Sequence, residues 1–461
     1  EKINIMIKLT TQQLAQILNA NLIGDGQAVV ENINTDTRKA VSNSLFFALK
    51  GEHFDAHQYL DKAVEQGATA LVVQQANTEI ATPQLVVADT RLALGQLAKW
   101  LREKINPRTV AMTGSSGKTT VKEMTASILQ QTAGNADAVL FTNGNFNNDI
   151  GVPLTLLRLT EQHKFAVIEL GANHQGEIDY TTHLAQPEAA LVNNVAAAHL
   201  EGFGSLEGVA RAKGEIYRGL TPNGVAIINS EHNYIEFWQK EIGSHSIQYF
   251  NAGDYKAENV KHSSNGSTFT LVSPKGSIEI NLPYLGEHNV KNALAATALA
   301  MNVGASLADV KAGLEHRSQV KGRLFPIQVN ENLLLLDDTY NANVDSLQAA
   351  IDVLKGYDAF RILLVGDMKE LGEDSLKCHQ QVGEHAKQAK LDLVLSYGTE
   401  SAVISEAVLG KHFKDKAELT AYALDIIKQK LQENQKVVVL AKGSRSMKME
   451  ETIYSLKDSL C

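Results

Sequence analysis

The sequence predicts an α/β protein with a central parallel-sheet domain, a small N-terminal α/β domain and a Rossmann-like C-terminal α/β domain. The chain has 461 residues, too many for one hydrophobic core, which suggests about three domains. Fully apolar runs such as 165–168 and 189–192 alternate with helical patterns, which is typical of parallel strands covered on both faces. Because ligands bind at the carboxyl ends of such strands, we expect the functional residues in the loops that follow the runs.

Composition and charge exclude several classes of function. Hydrophobic residues make up 44% of the chain and charged residues 21%, so the chain should fold throughout. The formal net charge of −9 removes the electrostatic basis for nucleic acid or an anionic membrane surface as a partner. Because no apolar run approaches the length of a membrane span, we expect no membrane insertion. Cys378 and Cys461 predict neither a disulfide framework nor a zinc site, and a reducing, cytoplasmic location is the expectation.

Residues 1–87 are predicted to form the N-terminal domain. Strand candidates lie at 44–49, 70–73 and 85–87, and a helical stretch at 59–66 ends at Gly67. Two polar clusters, 35–38 and 50–57, lie next to strand candidates, and by themselves they indicate only solvated loops. An amphipathic helix over 89–103 then leads into the next domain.

Residues 88–317 are predicted to form the central domain. Its strand candidates are 109–112, 165–168, 189–192 and 225–228. The alternating pattern over 249–283 indicates an antiparallel insertion, and an Ala- and Leu-rich helix follows the polar stretch 286–293. Residues 318–461 restart the strand pattern at 333–336, 362–365, 393–395 and 437–440, which predicts the C-terminal α/β domain.

A short phosphate-binding loop connects the apolar run 109–112 to a helical pattern. Glycines in such a loop let backbone N–H groups converge on phosphates, and the helix N-terminus adds a positive partial charge. Lys118 would reach the outer phosphates and Thr119 would offer its hydroxyl to Mg²⁺. Met112 stands where the common pattern has glycine, so the loop is shorter than usual. The loop residues are Gly114, Ser115, Ser116, Gly117, Lys118, Thr119 and Thr120.

A bound triphosphate implies Mg²⁺, which prefers hard oxygen ligands. Glu169 closes an apolar run and is the best carboxylate for that purpose, although a strand-end acid could also serve as a helix cap. His199 by itself would be an ordinary loop residue, and Lys213 a solvated lysine. The residues thus indicate an ATP-dependent enzyme whose second substrate lies between domains. An alternative is a phosphate-loop ATPase that binds partners and ligates nothing. Such a protein would not need the polar clusters that follow strands in all three predicted domains, and these clusters argue against it.

A set of motifs in a defined order covers essentially the whole chain and resembles the Mur ligase family, the ATP-dependent amide-forming enzymes of peptidoglycan precursor synthesis. The shortened phosphate loop is the form that this family uses. The motifs are the loop 113–120, Thr-Asn-Gly-Asn-Phe-Asn-Asn-Asp-Ile-Gly-Val-Pro-Leu at 142–154, Glu-Leu-Gly at 169–171, the stretch 194–215, Gly-Glu-His-Asn at 286–289 with Asn292, Lys-Gly-Arg at 321–323, Asp-Thr-Tyr-Asn-Ala-Asn at 338–343, Gly-Asp-Met-Lys-Glu-Leu-Gly at 366–372, and Gly-Ser-Arg at 443–445 with Glu450.

The resemblance implies a role for each matching residue. Lys118, His199 and Lys213 would be catalytic, and Lys213 would be carbamylated so that it presents an anionic oxygen to a second Mg²⁺. The metal ligands would be Thr119, Glu169, His199 and Lys213. Besides the loop, ATP would contact Asn289, Asn292, Arg323, Asp338 and Tyr340. The other substrates would contact Thr37, Arg38, Asn145, Asn147, Asn341, Asn343, Ser444 and Arg445.

The resemblance is closest to the members that add D-alanyl-D-alanine to UDP-N-acetylmuramoyl-tripeptide through an acyl phosphate, the last cytoplasmic step of the pentapeptide precursor. It implies a monomer that uses ATP and two Mg²⁺ ions. The alternative is a sister ligase that adds one amino acid, or a ligase like folylpolyglutamate synthase. The Asp-Asn-Pro-Arg motif of the diaminopimelate-adding type does not occur in this sequence.

Two positions depart from the family pattern. Val344 stands where the pattern has proline, and we expect only a modest change in that loop from the lost φ restraint. Ala56 stands where the pattern has glycine in Asp-Gly-His. If that position required a positive φ, alanine would be strained there.

Overall fold

Three large β-sheets form the framework of the protein, in a computed structural model that describes residues 8–232, 234–316 and 320–461. Each sheet belongs to one of the predicted domains, and helices cover the sheets, so the predicted three-domain α/β fold is confirmed. The predicted boundary between 317 and 318 lies outside the described residues. The boundary between 87 and 88 stays a prediction.

The N-terminal sheet has the strand order β2-β7-β6-β5-β4, in which only β2 runs antiparallel to its neighbour. The strands predicted near 44–49, 70–73 and 85–87 are present. Helix α1 and strands β1 to β4 were not predicted, because the strands are only two or three residues long. The elements are β1 (Leu9–Thr10), α1 (Thr11–Leu18), β2 (Asn21–Ile23), β3 (Val29–Val30), β4 (Asn32–Asn34), β5 (Ser44–Phe47), α2 (Leu60–Glu65), β6 (Ala68–Val73), β7 (Gln84–Val86) and α3 (Thr90–Ile105).

Ala56 is the buried first residue of a 3₁₀ turn, Ala56–Tyr59, that precedes α2. Asp55 caps this turn by accepting a hydrogen bond from the backbone N–H of His57 at 3.0 Å. Ala56 does not adopt a positive φ. The strain that a left-handed backbone would impose on alanine therefore does not arise at this departure from the family pattern.

The central sheet has the strand order β13-β12-β11-β8-β10-β9, and all its strands are parallel, as predicted. The antiparallel insertion is also confirmed, although residues 249 and 250 belong to the parallel sheet. The strands are β8 (Arg108–Thr113), β9 (Val139–Phe141), β10 (Phe165–Glu169), β11 (Ala189–Val192), β12 (Val225–Asn229) and β13 (Ser246–Phe250), followed by β14 (Lys256–Ser263), β15 (Gly266–Ser273) and β16 (Gly276–Leu282) of the insertion.

Helices pack on both faces of the central sheet because its strands are apolar on both sides. Along β8, Ala111 points into one buried cluster, whereas Val110 and Met112 point into another that contains the Ala-rich helix α10. The helices are α4 (Lys118–Ala133), α5 (Gly151–Leu156), α6 (Glu177–Ala185), α7 (Leu200–Phe203), α8 (Leu206–Gly214), α9 (Ile235–Ile242), α10 (Glu287–Met301) and α11 (Leu307–Glu315).

The C-terminal sheet has the strand order β17-β18-β22-β19-β20-β21, and only the edge strand β17 is antiparallel. The four predicted strands are present, and the exposed strands β17 and β21 were not predicted. The elements are β17 (Phe325–Asn330), β18 (Leu333–Asp337), α12 (Val344–Lys355), β19 (Phe360–Gly366), α13 (Ser375–Ala389), β20 (Leu393–Tyr397), α14 (Ala402–Ala407), β21 (Lys411–Phe413), α15 (Lys416–Gln432), β22 (Val437–Lys442) and α16 (Glu450–Leu460).

Val344 is the first residue of α12, a position at which proline is favoured. The preceding Asn343 caps this helix, because its side chain accepts a hydrogen bond from the backbone N–H of Ser346 at 2.9 Å. The N–H of Asn343 donates in turn to the Ser346 hydroxyl at 2.9 Å. This reciprocal cap defines the start of the helix without the φ restraint of proline.

Among the helices of the described ranges, none has the length and apolar character needed to cross a bilayer.

We expect the core of the C-terminal domain to tolerate truncation poorly. Leu364 in β19 is fully buried, so Leu364→Ala should lower the free energy of unfolding by about 2–5 kcal/mol. Leu376 in α13 is 58% exposed, and Leu376→Ala should change the free energy of unfolding by less than about 0.5 kcal/mol. Urea unfolding followed by circular dichroism measures both, and equal midpoints for the two variants would contradict the packing described here.

Candidate active site

The order of the strands in the central sheet places polar residues on both sides of the phosphate loop. Strand β8 leads into the loop and lies between β10 and β11. Glu169 ends β10, and Asn193 follows β11. Because the carboxyl ends of parallel strands meet at one edge, these two side chains flank the loop.

The phosphate loop fits closely against two asparagine side chains. Gly117, the cap of α4, has φ of 76°, and a Cβ there would lie 2.6 Å from both Asn193 Nδ2 and Asn292 Oδ1. Asn194 accepts a hydrogen bond from the backbone N–H of Ser116 at 2.9 Å. Lys118 Nζ donates to the carbonyl of Gly114 at 2.8 Å. Glycine is therefore required at 117, and the loop forms a cradle at a helix N-terminus that suits phosphate.

Glu169 is buried beside Thr119, as expected for two members of one metal site. The Thr119 hydroxyl donates to Glu169 Oε1 at 2.8 Å, and Asn147 Nδ2 donates to Oε2 at 3.2 Å. A hydroxyl and a carboxylate next to a phosphate cradle are the hard oxygen donors that suit Mg²⁺. Across the ranges that the structure describes, no three His, Cys, Asp or Glu side chains cluster as a metal site. Phosphate oxygens and water would therefore complete the shell.

His199 lies at the start of α7 with φ of 56°, in the left-handed region. Its Nδ1 contacts Oε2 of Glu370, a C-terminal-domain residue that lies in the motif at 366–372 but was not among the predicted site residues. The contact with His199 is the main reason that the pKa of Glu370 is lower than its ordinary value. His199 thus belongs to the middle domain, lines the same cavity as Glu169 and is contacted by the C-terminal domain.

Lys213 is buried near the end of α8, with 1% of its surface exposed. Burial lowers its pKa well below the ordinary value, and the nearby charge of Lys118 lowers it further. The expectation of a solvated lysine, which its residue type alone suggested, is therefore wrong. A lysine in this setting favours the neutral amine, which is the form that can react as a nucleophile.

The C-terminal domain contacts the phosphate loop directly. Arg323 Nη2 donates to the Thr119 hydroxyl at 2.9 Å, and its guanidinium lies 4.2 Å from the centre of the Tyr340 ring. Asn343 Nδ2 donates to the carbonyl of Ser115 at 3.0 Å. These contacts bring two domains together around one cavity.

Asp338 and Lys442 form a buried ion pair at the edge of the C-terminal sheet. Lys442 Nζ lies 3.1 Å from Asp338 Oδ2 and donates to the carbonyl of Asn341 at 2.8 Å. Burial raises the pKa of the Asp338 carboxyl, although Lys442 opposes this shift. Lys442 was not among the predicted site residues. A lysine at the end of an otherwise apolar strand was the signal that could have identified it.

Asn289 and Asn292, which were predicted to face the adenine, form part of a chain of amides in α10. Asn292 Nδ2 donates to Asn289 Oδ1 at 3.0 Å, and Asn292 Oδ1 accepts from Asn193 Nδ2 at 2.9 Å. Asn289 also lines a second cavity of about 500 Å³, together with Tyr284 and Leu324. An amide next to an aromatic and an apolar side chain suits a flat, polar-edged ring.

Most of the predicted residues line one cavity of about 590 Å³. The predicted residues in its wall are Ser115, Ser116, Gly117, Lys118, Thr119, Thr120, Asn145, Asn147, Glu169, His199, Asn289, Asn292, Arg323, Asp338, Tyr340, Asn341, Asn343 and Arg445. The wall also contains polar residues that were not among the predicted site residues, including Asn193, Asn194, Glu231, His232, His288, Lys291 and Lys442.

Five predicted residues lie outside this wall. Gly114 and Lys213 are buried and do not line the cavity. Ser444 is buried, and its hydroxyl accepts a hydrogen bond from the N–H of Lys369 at 2.8 Å. Thr37 and Arg38 belong to the N-terminal domain, where Arg38 forms an exposed ion pair with Asp36 at 2.9 Å.

Comparison with known proteins places these features in a family. Three models match the chain in succession, the Mur ligase family catalytic domain at residues 29–101, the Mur ligase middle domain at 112–300 and the Mur ligase glutamate ligase domain at 322–445. A relative from Haemophilus influenzae, named UDP-N-acetylmuramoyl-tripeptide–D-alanyl-D-alanine ligase, is 77% identical over 99% of this chain and 100% of its own.

Solved structures agree with this result. The crystal structure of MurF from Acinetobacter baumannii is similar with a TM-score of 0.93 and 40% identity, covering 98% of this chain and 99% of its own. The structure of MurF ligase from Thermotoga maritima in complex with ADP has a TM-score of 0.82 and 25% identity, covering 93% and 97% of the two chains. On the match of three family models between residues 29 and 445, and on 77% identity to a relative over 99% of its length, this chain belongs to the Mur ligase family.

Proposed function

We propose that this protein joins D-alanyl-D-alanine to UDP-N-acetylmuramoyl-tripeptide, with cleavage of ATP to ADP and phosphate. The observation that carries the proposal is the cavity of about 590 Å³ between the phosphate loop and the C-terminal domain, where Arg323 and Asn343 contact the loop directly. The relative with 77% identity bears the name of this activity, which supports the choice of substrates.

Positively charged groups in the cavity surround the expected position of the nucleotide's phosphates. Backbone N–H groups of the loop and Lys118 bind the phosphates, while Arg323 approaches from the opposite wall. Mg²⁺ bound at Thr119 and Glu169 would neutralise charge that develops during phosphoryl transfer. Preorganised positive groups of this kind are the main catalytic contribution in such transfers.

Lys213 is proposed to be carbamylated. Its buried amine would add to carbon dioxide, forming a nitrogen–carbon bond and releasing one proton to water. The product is an anion, which would attract Lys118, whereas burial and then the charge of Lys118 disfavour the protonated amine and lower its pKa. The new oxygens would join Glu169 and His199 as ligands of a second metal ion.

The substrates are proposed to enter from the two outer domains. Thr37 and Arg38 would hold the diphosphate of the sugar nucleotide, and Asn145 and Asn147 its peptide. The peptide carboxylate attacks the γ-phosphorus and displaces ADP, which gives an acyl phosphate. The amine of the dipeptide then attacks the acyl carbon, loses a proton and displaces phosphate.

The wall formed by the C-terminal domain is proposed to bind the dipeptide. Asn341 and Asn343 contribute to the cavity directly. Arg445 also lines it, beside the buried Ser444, and forms an ion pair with Glu450 at 2.8 Å. Such a cation suits the terminal carboxylate of the dipeptide. The protein is proposed to act as a monomer in the cytoplasm.

The choice of dipeptide can be tested by measuring phosphate release from ATP with each acceptor. We expect release with UDP-N-acetylmuramoyl-tripeptide and D-alanyl-D-alanine together, and at least about 100-fold less with single amino acids, because the dipeptide's binding groups would be left unpaired. A tripeptide ending in diaminopimelate and one ending in lysine serve as two parallel substrates. Full activity with a free amino acid and none with the dipeptide would favour a sister ligase.

We expect Lys213→Ala to lower kcat at least about 100-fold, because the anionic metal ligand is lost. Depletion of bicarbonate should lower wild-type activity reversibly and leave the residual activity of the variant unchanged. Lys240 in α9 is an exposed lysine, so Lys240→Ala is the matched control and should keep the wild-type response. If Lys213→Ala retained full activity without added bicarbonate, the carbamate would be excluded.

A further inference from the structure

The loop after β19 crosses from the C-terminal domain to the start of α7 in the middle domain. Glu370 makes two contacts there. Its carboxylate lies against Nδ1 of His199, and its backbone carbonyl accepts a hydrogen bond from the N–H of Glu201 at 3.3 Å. Gly372 also packs close to the backbone of Glu201. The contact therefore involves the backbone as well as the side chains of both segments.

Both residues of the side-chain contact have unusual backbone conformations. His199 has φ of 56° and Glu370 has φ of 63°. A left-handed backbone is uncommon for residues other than glycine and persists only where surrounding structure holds it. The two strained positions face one another across the domain interface, which indicates that the contact is a defined feature of the fold.

The environment of His199 Nδ1 determines which ring nitrogen carries the proton. This atom is buried and lies against the Glu370 carboxylate as an ion-pair contact, and within the described part of the chain it forms no regular hydrogen bond. A carboxylate can only accept, so a neutral imidazole keeps its proton on Nδ1 and has its lone pair on Nε2. Because His199 lines the main cavity, that lone pair belongs to a residue of the proposed active site.

We propose that Glu370 is a positioning residue that holds the His199 ring in the Nδ1–H tautomer. Glu370 does not line the cavity, so it acts through the ring and does not contact substrate. Since Glu370 belongs to the C-terminal domain, the ring is oriented only while that domain contacts α7. Correct presentation of His199 is thus coupled to domain contact. This inference rests on the proposed function, in which His199 acts in the metal site.

Kinetics of single and double variants test the coupling. Glu370→Ala should lower kcat about 10- to 100-fold, the usual effect of losing a partner that orients a ligand, with a smaller change in KM for ATP. Glu370→Gln keeps an acceptor and should lose less. In a His199→Ala background, Glu370→Ala should change kcat less than about twofold, because its target is absent. Glu373, exposed in the same loop, is the control, and Glu373→Ala should behave as wild type.

A readout that needs no turnover separates this inference from the proposed function. Nitrogen NMR of histidine-labelled, metal-free protein at about pH 8, above the ordinary imidazole pKa, reports the tautomer, with His199→Ala assigning the signal. We expect Nδ1–H in the wild type and Glu373→Ala, and a shift toward Nε2–H in Glu370→Ala. An unchanged tautomer, or equal loss of kcat in both backgrounds, would overturn the inference. Failure of ligation by the wild type would instead refute the proposed function.

Discussion

The parallel arrangement of strands is the constraint on which the rest of the structure depends. The carboxyl ends of parallel strands lie at one edge of their sheet. The polar residues that follow the strands are therefore close together even when they are far apart in the sequence. In the central sheet this places Glu169 and Asn193 beside the phosphate loop. In the C-terminal sheet the order β18-β22-β19 does the same for Asp338 and Lys442. The cavity lies where these two edges meet.

Burial of charge gives the cavity its chemical character. Glu169, Lys213 and Asp338 are each less than about a tenth exposed, and an uncompensated charge in such a place is costly. The three side chains are stabilised in the buried site in different ways. Glu169 accepts hydrogen bonds from Thr119 and Asn147, and Asp338 pairs with Lys442. Lys213 has a strongly lowered pKa, so its neutral form is favoured. This difference is what distinguishes a reactive lysine from a structural one.

The amino-acid sequence predicts the parts of this protein that depend on local pattern. Long apolar runs identified β10, β11 and β19 because buried parallel strands need no polar alternation. Short or exposed strands such as β2 and β21 carry no such signal and were missed. The phosphate loop and Glu169 were predicted from residue types that suit their chemistry, whereas His199 was predicted from the resemblance to the Mur ligase family. Glu370 was not predicted as a site residue because its contact with His199 joins two domains and leaves no periodicity in the sequence. Lys442 contacts Asp338 within the C-terminal domain, and its position at the end of an apolar strand was the signal that was not used.

The close fit of Gly117 against Asn292 has a consequence for how the protein forms during synthesis. The phosphate loop is made early, but Asn292 lies on α10, well past the middle of the chain and beyond the antiparallel insertion. A growing chain that ends before α10 contains Asn193 and Asn194 but lacks Asn292, so the packing around Gly117 is incomplete. The phosphate loop therefore reaches its final packing only after α10 has been synthesised.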